Sequence, residues 1–384
     1  MRLVRWREAM DRALYGPEGF FVSGAGPAAH FRTSVHASPV FSACLLRLLL
    51  ELDKALDHPD RVDVVDVGAG RGELLRALLA GVSGETLPTP AAVAPVPCAR
   101  AGAAGPSPAA PVPLADRVRL TAVERAPRPA DLPAEIHWTA EIPDRITGLL
   151  IATEWLDNIP LDLAVHTHAG WRYLLVNPAT GDESPGAPLT PEDAAWLARW
   201  WPTPTQRSLI KEFASAGGPE SDANSLINGV VERAEVGRSR DEAWAGAVRH
   251  LGQGLALAVD YGHLRDGRPV DGTLTGYRGG RQVPPVPDGS CDVTAHVAVD
   301  SVASVGERVA RCAYTLISQR EALRALGADG GRPPLSLASR DPAGYVRALA
   351  AASAVAELTD PAGLGGHWWL LQPVGVALDG VMAR

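Results

Sequence analysis

Glu154 and Asp157 stand three residues apart just beyond the apolar run 149–152. If a helical turn begins there, the two carboxylates share a face and could grip a guanidinium or an amine. Asp292, Thr294 and His296 recur two apart, a spacing that puts all three on one face of a strand. His296 could accept a proton at neutral pH. Asp260, Tyr261 and His263 follow a further apolar run, and with Asp292 they are candidates to line a substrate pocket. Each group also has a plain structural use: Asp157 as a helix cap, Glu154 as a surface charge, His296 as a satisfied structural histidine.

Such groups need a reactive partner, and one stretch is built to hold it. The β-branched run 62–67 breaks into Gly68, Gly70 and Gly72 and then into an apolar helical repeat from Leu74. Glycines let a ligand approach the backbone, and free N–H groups at the start of the helix face whatever lies over them. A dinucleotide turn needs glycine at its first, third and sixth positions, but the sixth here is Glu73. Asp66 followed by Gly68, Gly70 and Gly72 is the pattern of an S-adenosylmethionine turn, and an NAD-dependent oxidoreductase ranks last. The run 117–123 ends in Glu124, whose two oxygens could take both ribose hydroxyls. Between these strands, residues 81–115 are almost wholly Ala, Pro, Gly, Ser, Thr and Val, which reads as a flexible surface loop.

The stretch Leu149-Leu150-Ile151-Ala152-Thr153-Glu154-Trp155-Leu156-Asp157-Asn158-Ile159-Pro160 resembles the Asn-Glu-Phe-Phe-Asp-Ala-Leu-Pro element of the MidA-like S-adenosylmethionine-dependent methyltransferases. That family includes a mitochondrial complex I assembly factor that is a protein arginine methyltransferase. Ala258-Val259-Asp260-Tyr261-Gly262 resembles its Ile-Asp-Tyr-Gly strand end. Gly272-Thr273-Leu274 through Tyr277 resembles its Gly-Thr-Leu-x-x-Tyr, and Asp292 through Val297 its Asp-x-Thr-x-His-Val. Phe31-Arg32-Thr33-Ser34 is similar to an N-terminal family segment, so the resemblance spans residues 15–327. Ala29-His30 and Val35-His36 replace Gly-Asp and Pro-Glu of that segment, and Thr153 replaces an asparagine.

The resemblance implies an α/β, class I (Rossmann-like) methyltransferase fold with a mostly parallel sheet and an inserted, partly helical lobe. It implies S-adenosylmethionine as cofactor, S-adenosylhomocysteine as product, and an N-terminal segment with Thr33 and Ser34 closing over the cofactor. Glu154 and Asp157 would then face the transferred methyl group, with a protein side chain, arginine favoured, as acceptor. Two other readings stay open: a methyltransferase for a small metabolite, and a cofactor-binding assembly or scaffold protein without turnover.

The elements that must position these groups divide the chain into an N-terminal helical segment with its covering loop (1–60), a cofactor-binding core (61–160 and 250–384) and an inserted recognition lobe (161–249). The lobe opens on a hairpin over 161–176 and carries Trp196, Trp200 and Trp201, which could pack or meet a partner. With 384 residues the chain can bury a large core. Its net charge of −8 and the lack of an arginine stripe interleaved with aromatics argue against nucleic acid as a partner. Four cysteines without paired spacing indicate neither zinc nor a disulfide framework, so no metal and a reducing cytoplasm are expected. The longest apolar run, 45–50, is interrupted by Arg47, so no membrane partner is expected. A protein substrate and a homodimer complete the expectations.

Overall fold

The computed structural model describes residues 3–23, 34, 38–84, 112–201, 232–328 and 330–378. The chain separates into two compact units. The larger comprises Phe31–Leu156, Ala245–Tyr261 and Gly306–Arg384, and the smaller Met1–His30, Asp157–Trp244 and Gly262–Val305. Residues 161–244 of the 161–249 insertion thus share a unit with the start of the chain and with 262–305, while 245–249 belong to the larger unit.

The larger unit is built on a seven-stranded sheet in the order Thr315–Ser318, Trp368–Val374, Leu251–Asp260, Ile146–Thr153, Val62–Val67, Val118–Val123, Ile136–Thr139. The last five run parallel to one another, and Trp368–Val374 pairs antiparallel to both its neighbours. Every residue of Val62–Val67 is buried, as expected of a strand covered on both faces. The helices Pro39–Ala55 and Glu73–Val82 supply Phe41, Leu45, Leu49, Leu75 and Leu78 to the main core. Each such side chain contributes on the order of 1.5–3 kcal/mol by leaving water. Ser38 starts the first of these helices by accepting the Val40 N–H at 3.1 Å, and Pro39 sits in the first turn, where its missing N–H costs nothing. Ser318 and Glu321 form a capping box on Gln319–Ala325.

Two local expectations change. Arg117 is not the first residue of a strand but ends the short helix Leu114–Arg117. There it is buried against Asp53, with both guanidinium–carboxylate bonds at 2.8 Å. The bidentate charge pair is what permits an arginine inside. The 81–115 segment lies mainly outside the described residues, but 81 and 82 belong to Glu73–Val82.

In the smaller unit the hairpin Asp162–Thr167 and Gly170–Val176 lies in an antiparallel sheet with Val4–Arg5, Glu183–Pro188 and Arg233–Val236. Helix Trp6–Tyr15 buries Trp6, Met10 and Leu14 with Leu163, Leu174 and Val293. Trp196 and Trp201 are buried with Leu197 and Ala234, and the Trp196 indole donates to Asp241 at 2.8 Å. Their apolar rings therefore pack in the unit's own core. No helix among the described residues is long and apolar enough to cross a membrane.

Candidate active site

The strand Val62–Val67 delivers the chain to three glycines that all have left-handed backbone: Gly68 at φ 74°, Gly70 at 57° and Gly72 at 82°. A Cβ on Gly68 would stand 2.9 Å from Trp155 Cδ1, and one on Gly72 would stand 2.6 Å from Leu132 Cδ1. At Gly70 the nearest atom would be Glu73 Oε2 at 3.5 Å. Gly68 and Gly72 are thus constrained by packing, whereas Gly70 is constrained by its backbone alone and leaves open space above it.

Three carboxylates gather at this turn. Glu124, at the end of Val118–Val123, accepts the Gly70 N–H at 3.1 Å, and its other oxygen accepts the N–H groups of Arg125 and Ala126 at 2.7 and 3.1 Å. Glu73 opens the following helix and accepts the Arg71 N–H at 2.9 Å. Asp66 is 2% exposed, and its Oδ1 has no hydrogen-bond partner among the described residues. Burial, followed by the charges of Glu73 and Glu124, pushes the Asp66 carboxyl up to about 7. An unpartnered buried oxygen beside an open glycine backbone fits a ligand carrying hydrogen-bond donors and positive charge.

The next strand toward the sheet's other edge, Ile146–Thr153, is followed directly by Glu154. This residue has φ 50°, so no helical turn begins there; the following turn, Leu156–Asn158, is a short 3-10 turn. The three-residue spacing of Glu154 and Asp157 therefore does not reflect a shared helix face. Glu154 N–H donates to Val259 at 2.8 Å, and its Oε1 accepts the Ser34 N–H at 3.0 Å. Ser34 is fully buried and donates through its hydroxyl to Gln319 at 3.2 Å. Thr33 lies outside the described residues. Asp260, the last residue of its strand, accepts the Leu156 N–H at 3.0 Å, and the Tyr261 ring lies against His367 with centroids 5.6 Å apart. The larger unit thus collects Asp66, Gly68, Gly70, Gly72, Glu124, Glu154, Asp260 and Tyr261 at or just beyond the carboxyl ends of neighbouring strands, where open α/β sheets bind ligands.

The other candidates belong to the smaller unit. Asp157 accepts the Thr294 hydroxyl at 2.8 Å and the Asn158 amide at 3.0 Å. The fully buried Arg240 donates to the Asp157 carbonyl and, at 2.9 and 2.8 Å, to those of Ala295 and His296. Asp292 is buried opposite Tyr277. The strand there covers only Asp292–Thr294, so His296 does not continue its face. Its N–H is taken by Thr273 Oγ1 at 2.8 Å instead of a strand neighbour, and its ring lies 6.3 Å from that of His263. Desolvation of that ring, together with His263, holds the His296 imidazole below its ordinary value.

Sequence reasoning missed Trp155 over Gly68, Gln319 behind Ser34, and Arg240. The first stood within a motif already singled out. The other two gave no signal, since a polar residue in a helix reads as surface by default. Among the described residues no cluster of His, Cys, Asp or Glu could hold a metal.

A glycine turn beside a buried carboxylate oxygen without a partner, at the end of an interior strand of an α/β sheet, is the kind of place where a nucleotide-like cofactor binds. Residues 106–317 match a family model described as "Putative S-adenosyl-L-methionine-dependent methyltransferase", and the chain belongs to that family. Over 211 residues it is 29% identical to the mitochondrial protein arginine methyltransferase NDUFAF7 of Danio rerio; the match covers 54% of this chain and 44% of that protein. A Burkholderia thailandensis protein crystallised with S-adenosyl-homocysteine shares the fold at TM-score 0.70 and 20% identity, over 100% of this chain and 91% of its own. A native structure from the same organism does so at TM-score 0.66 and 20% identity, over 98% and 90%.

Proposed function

We propose that the chain is a class I methyltransferase whose acceptor is a protein side chain, with arginine favoured. The observation that carries the reading is the convergence of Asp66, Glu73 and Glu124 on the glycine turn. Glu73 and Glu124, joined by Asp66 when a cation draws off its proton, repel a pyrophosphate and attract a sulfonium and an ammonium, so the charge at the turn selects against NAD. Gly68, Gly70, Gly72 and Asp66 would hold the methionine end of the cofactor, and Glu124 the ribose. When bound, the cofactor supplies a sulfonium methyl group to an in-line displacement, which needs alignment at about 3 Å and removal of the nucleophile's proton. Glu154, at a carboxyl end of the same sheet, is the proposed group that orients a cationic nucleophile and takes that proton.

The arginine preference is supported by the Danio rerio relative, a protein arginine methyltransferase, and by the acidic character of Glu154. Calorimetric titration of S-adenosylmethionine, S-adenosylhomocysteine and NAD tests the cofactor half. The first two are expected to bind at micromolar affinity, NAD not at all, and Gly70→Val to lose binding. Binding of NAD in preference to the other two would sink the reading.

A further inference from the structure

A cavity within the smaller unit shares no residue with the glycine turn. Its volume is about 780 Å3, within the usual range for small-molecule sites. Trp6, Leu163, Leu274 and Val286 give it apolar walls, and the charged groups on it are Glu183, Arg233, Glu235 and Asp271.

The charges do not cancel. Arg233 is spent on Glu183, with two bonds at 2.6 and 2.9 Å, and the Trp6 indole donates to the same carboxylate at 2.8 Å. That pair is neutral and saturated. Glu235 is 2% exposed and accepts N–H and hydroxyl donors from Thr273 and Leu274; burial pushes its carboxyl up, but His263, the Thr273 N–H and the Arg240 charge outweigh this and hold it below the usual carboxylate range. The His263 ring stands 3.9 Å away, beyond hydrogen-bond reach. Asp271 is exposed on the rim and has no side-chain partner among the described residues. The cavity therefore offers apolar walls, an exposed carboxylate at the rim in Asp271 and an ionised Glu235 beneath, a net negative lining that favours a cation carrying its own apolar surface.

We infer that this cavity is a second ligand site, and that it takes an organic cation: a guanidinium or primary ammonium carried on an apolar stem. The stem lies along Trp6, Leu163 and Val286 while the head meets Asp271 at the rim, with the buried Glu235 charge behind it. The inference does not rest on the cofactor reading, because none of its residues belongs to the turn.

Calorimetry on the full chain tests it with Nα-acetyl-arginine methylamide and its citrulline counterpart, which has the same shape without the charge. Saturable binding of the arginine probe alone is expected. Neutralising the exposed Asp271 by Asp271→Asn should weaken it by about fivefold, the size of a solvent-screened ion pair. Thr180→Trp, at an exposed position on the rim, should abolish it by occlusion. Unchanged affinity for S-adenosylmethionine and an unchanged thermal midpoint in both variants show that the loss is local. Equal binding of both probes, no saturable binding of the arginine probe, or undiminished binding to Thr180→Trp overturns the inference.

Discussion

At the residue scale, Asp66 carries the most distinctive physics. Its carboxyl is raised to about 7 by burial and by Glu73 and Glu124, so the folded state favours the protonated form. The stabilisation this gives is fully present below the unfolded value near 3.9 and is lost as pH rises through about 7. Asp66→Asn should therefore leave the free protein's melting temperature unchanged near pH 4 and raise it at pH 8, by a stability on the order of a few kcal/mol. A melting profile parallel to the parent's at every pH would refute the raised value. Because a cationic ligand favours the ionised form, S-adenosylmethionine binding at pH 6 should release a proton, seen as a buffer-dependent calorimetric heat. Glu154 gives the second prediction at this scale. Glu154→Gln keeps the oxygen that accepts the Ser34 N–H while removing the charge. We expect turnover to fall by at least about a hundredfold, the usual weight of a positioned base, with cofactor affinity nearly unchanged. Full activity would remove Glu154 from the chemistry.

At the element scale, two in-register strand glycines decide whether the sheet can form. Gly148 and Gly254 face each other across parallel strands with φ 139° and 141°. A Cβ on Gly254 would meet the Gly148 carbonyl oxygen at 1.9 Å, and one on Gly148 would meet that of Asp63 at 2.2 Å. Backbone cannot step aside as a side chain can. Gly254→Ala should cost about 2–3 kcal/mol of stability, read from chemical denaturation. Gly70→Ala, with free space for the methyl group, should cost only about 1–2 kcal/mol through its left-handed backbone. These strand glycines were silent in the sequence, because a close approach between strands depends on pairing that no local pattern encodes. The Asp66-to-Gly72 turn was legible because strand, glycines and helix are neighbours in the chain. The left-handed Glu154 was not, since residues other than glycine rarely adopt that conformation and nothing nearby announces it. His296 fell off its expected strand face for a related reason: a side chain, Thr273, took the N–H that a ladder would have used.

At the scale of the whole molecule, the order of the seven strands and the gathering of three distant stretches into the smaller unit were beyond sequence reading, since both are set by long-range packing. Net charge was legible directly, and it bears on how an acceptor arrives. A net charge of −8, with an acidic glycine turn in one unit and acidic groups on a cavity in the other, favours positively charged ligands over negative ones. Such attraction acts over about 10 Å at 0.1 M salt and shrinks as salt rises. If the acceptor is a basic protein segment, kcat/KM for a peptide with several arginines should fall by about tenfold or more as sodium chloride is raised, while kcat at saturation holds. A peptide with one arginine should respond far less, because the slope grows with the number of charges drawn in. A flat profile for both peptides, measured with cofactor saturating, would shift the acceptor toward a small neutral metabolite. It would leave the cofactor site untouched, since Asp66 and the glycine turn act at contact range, where salt screens least.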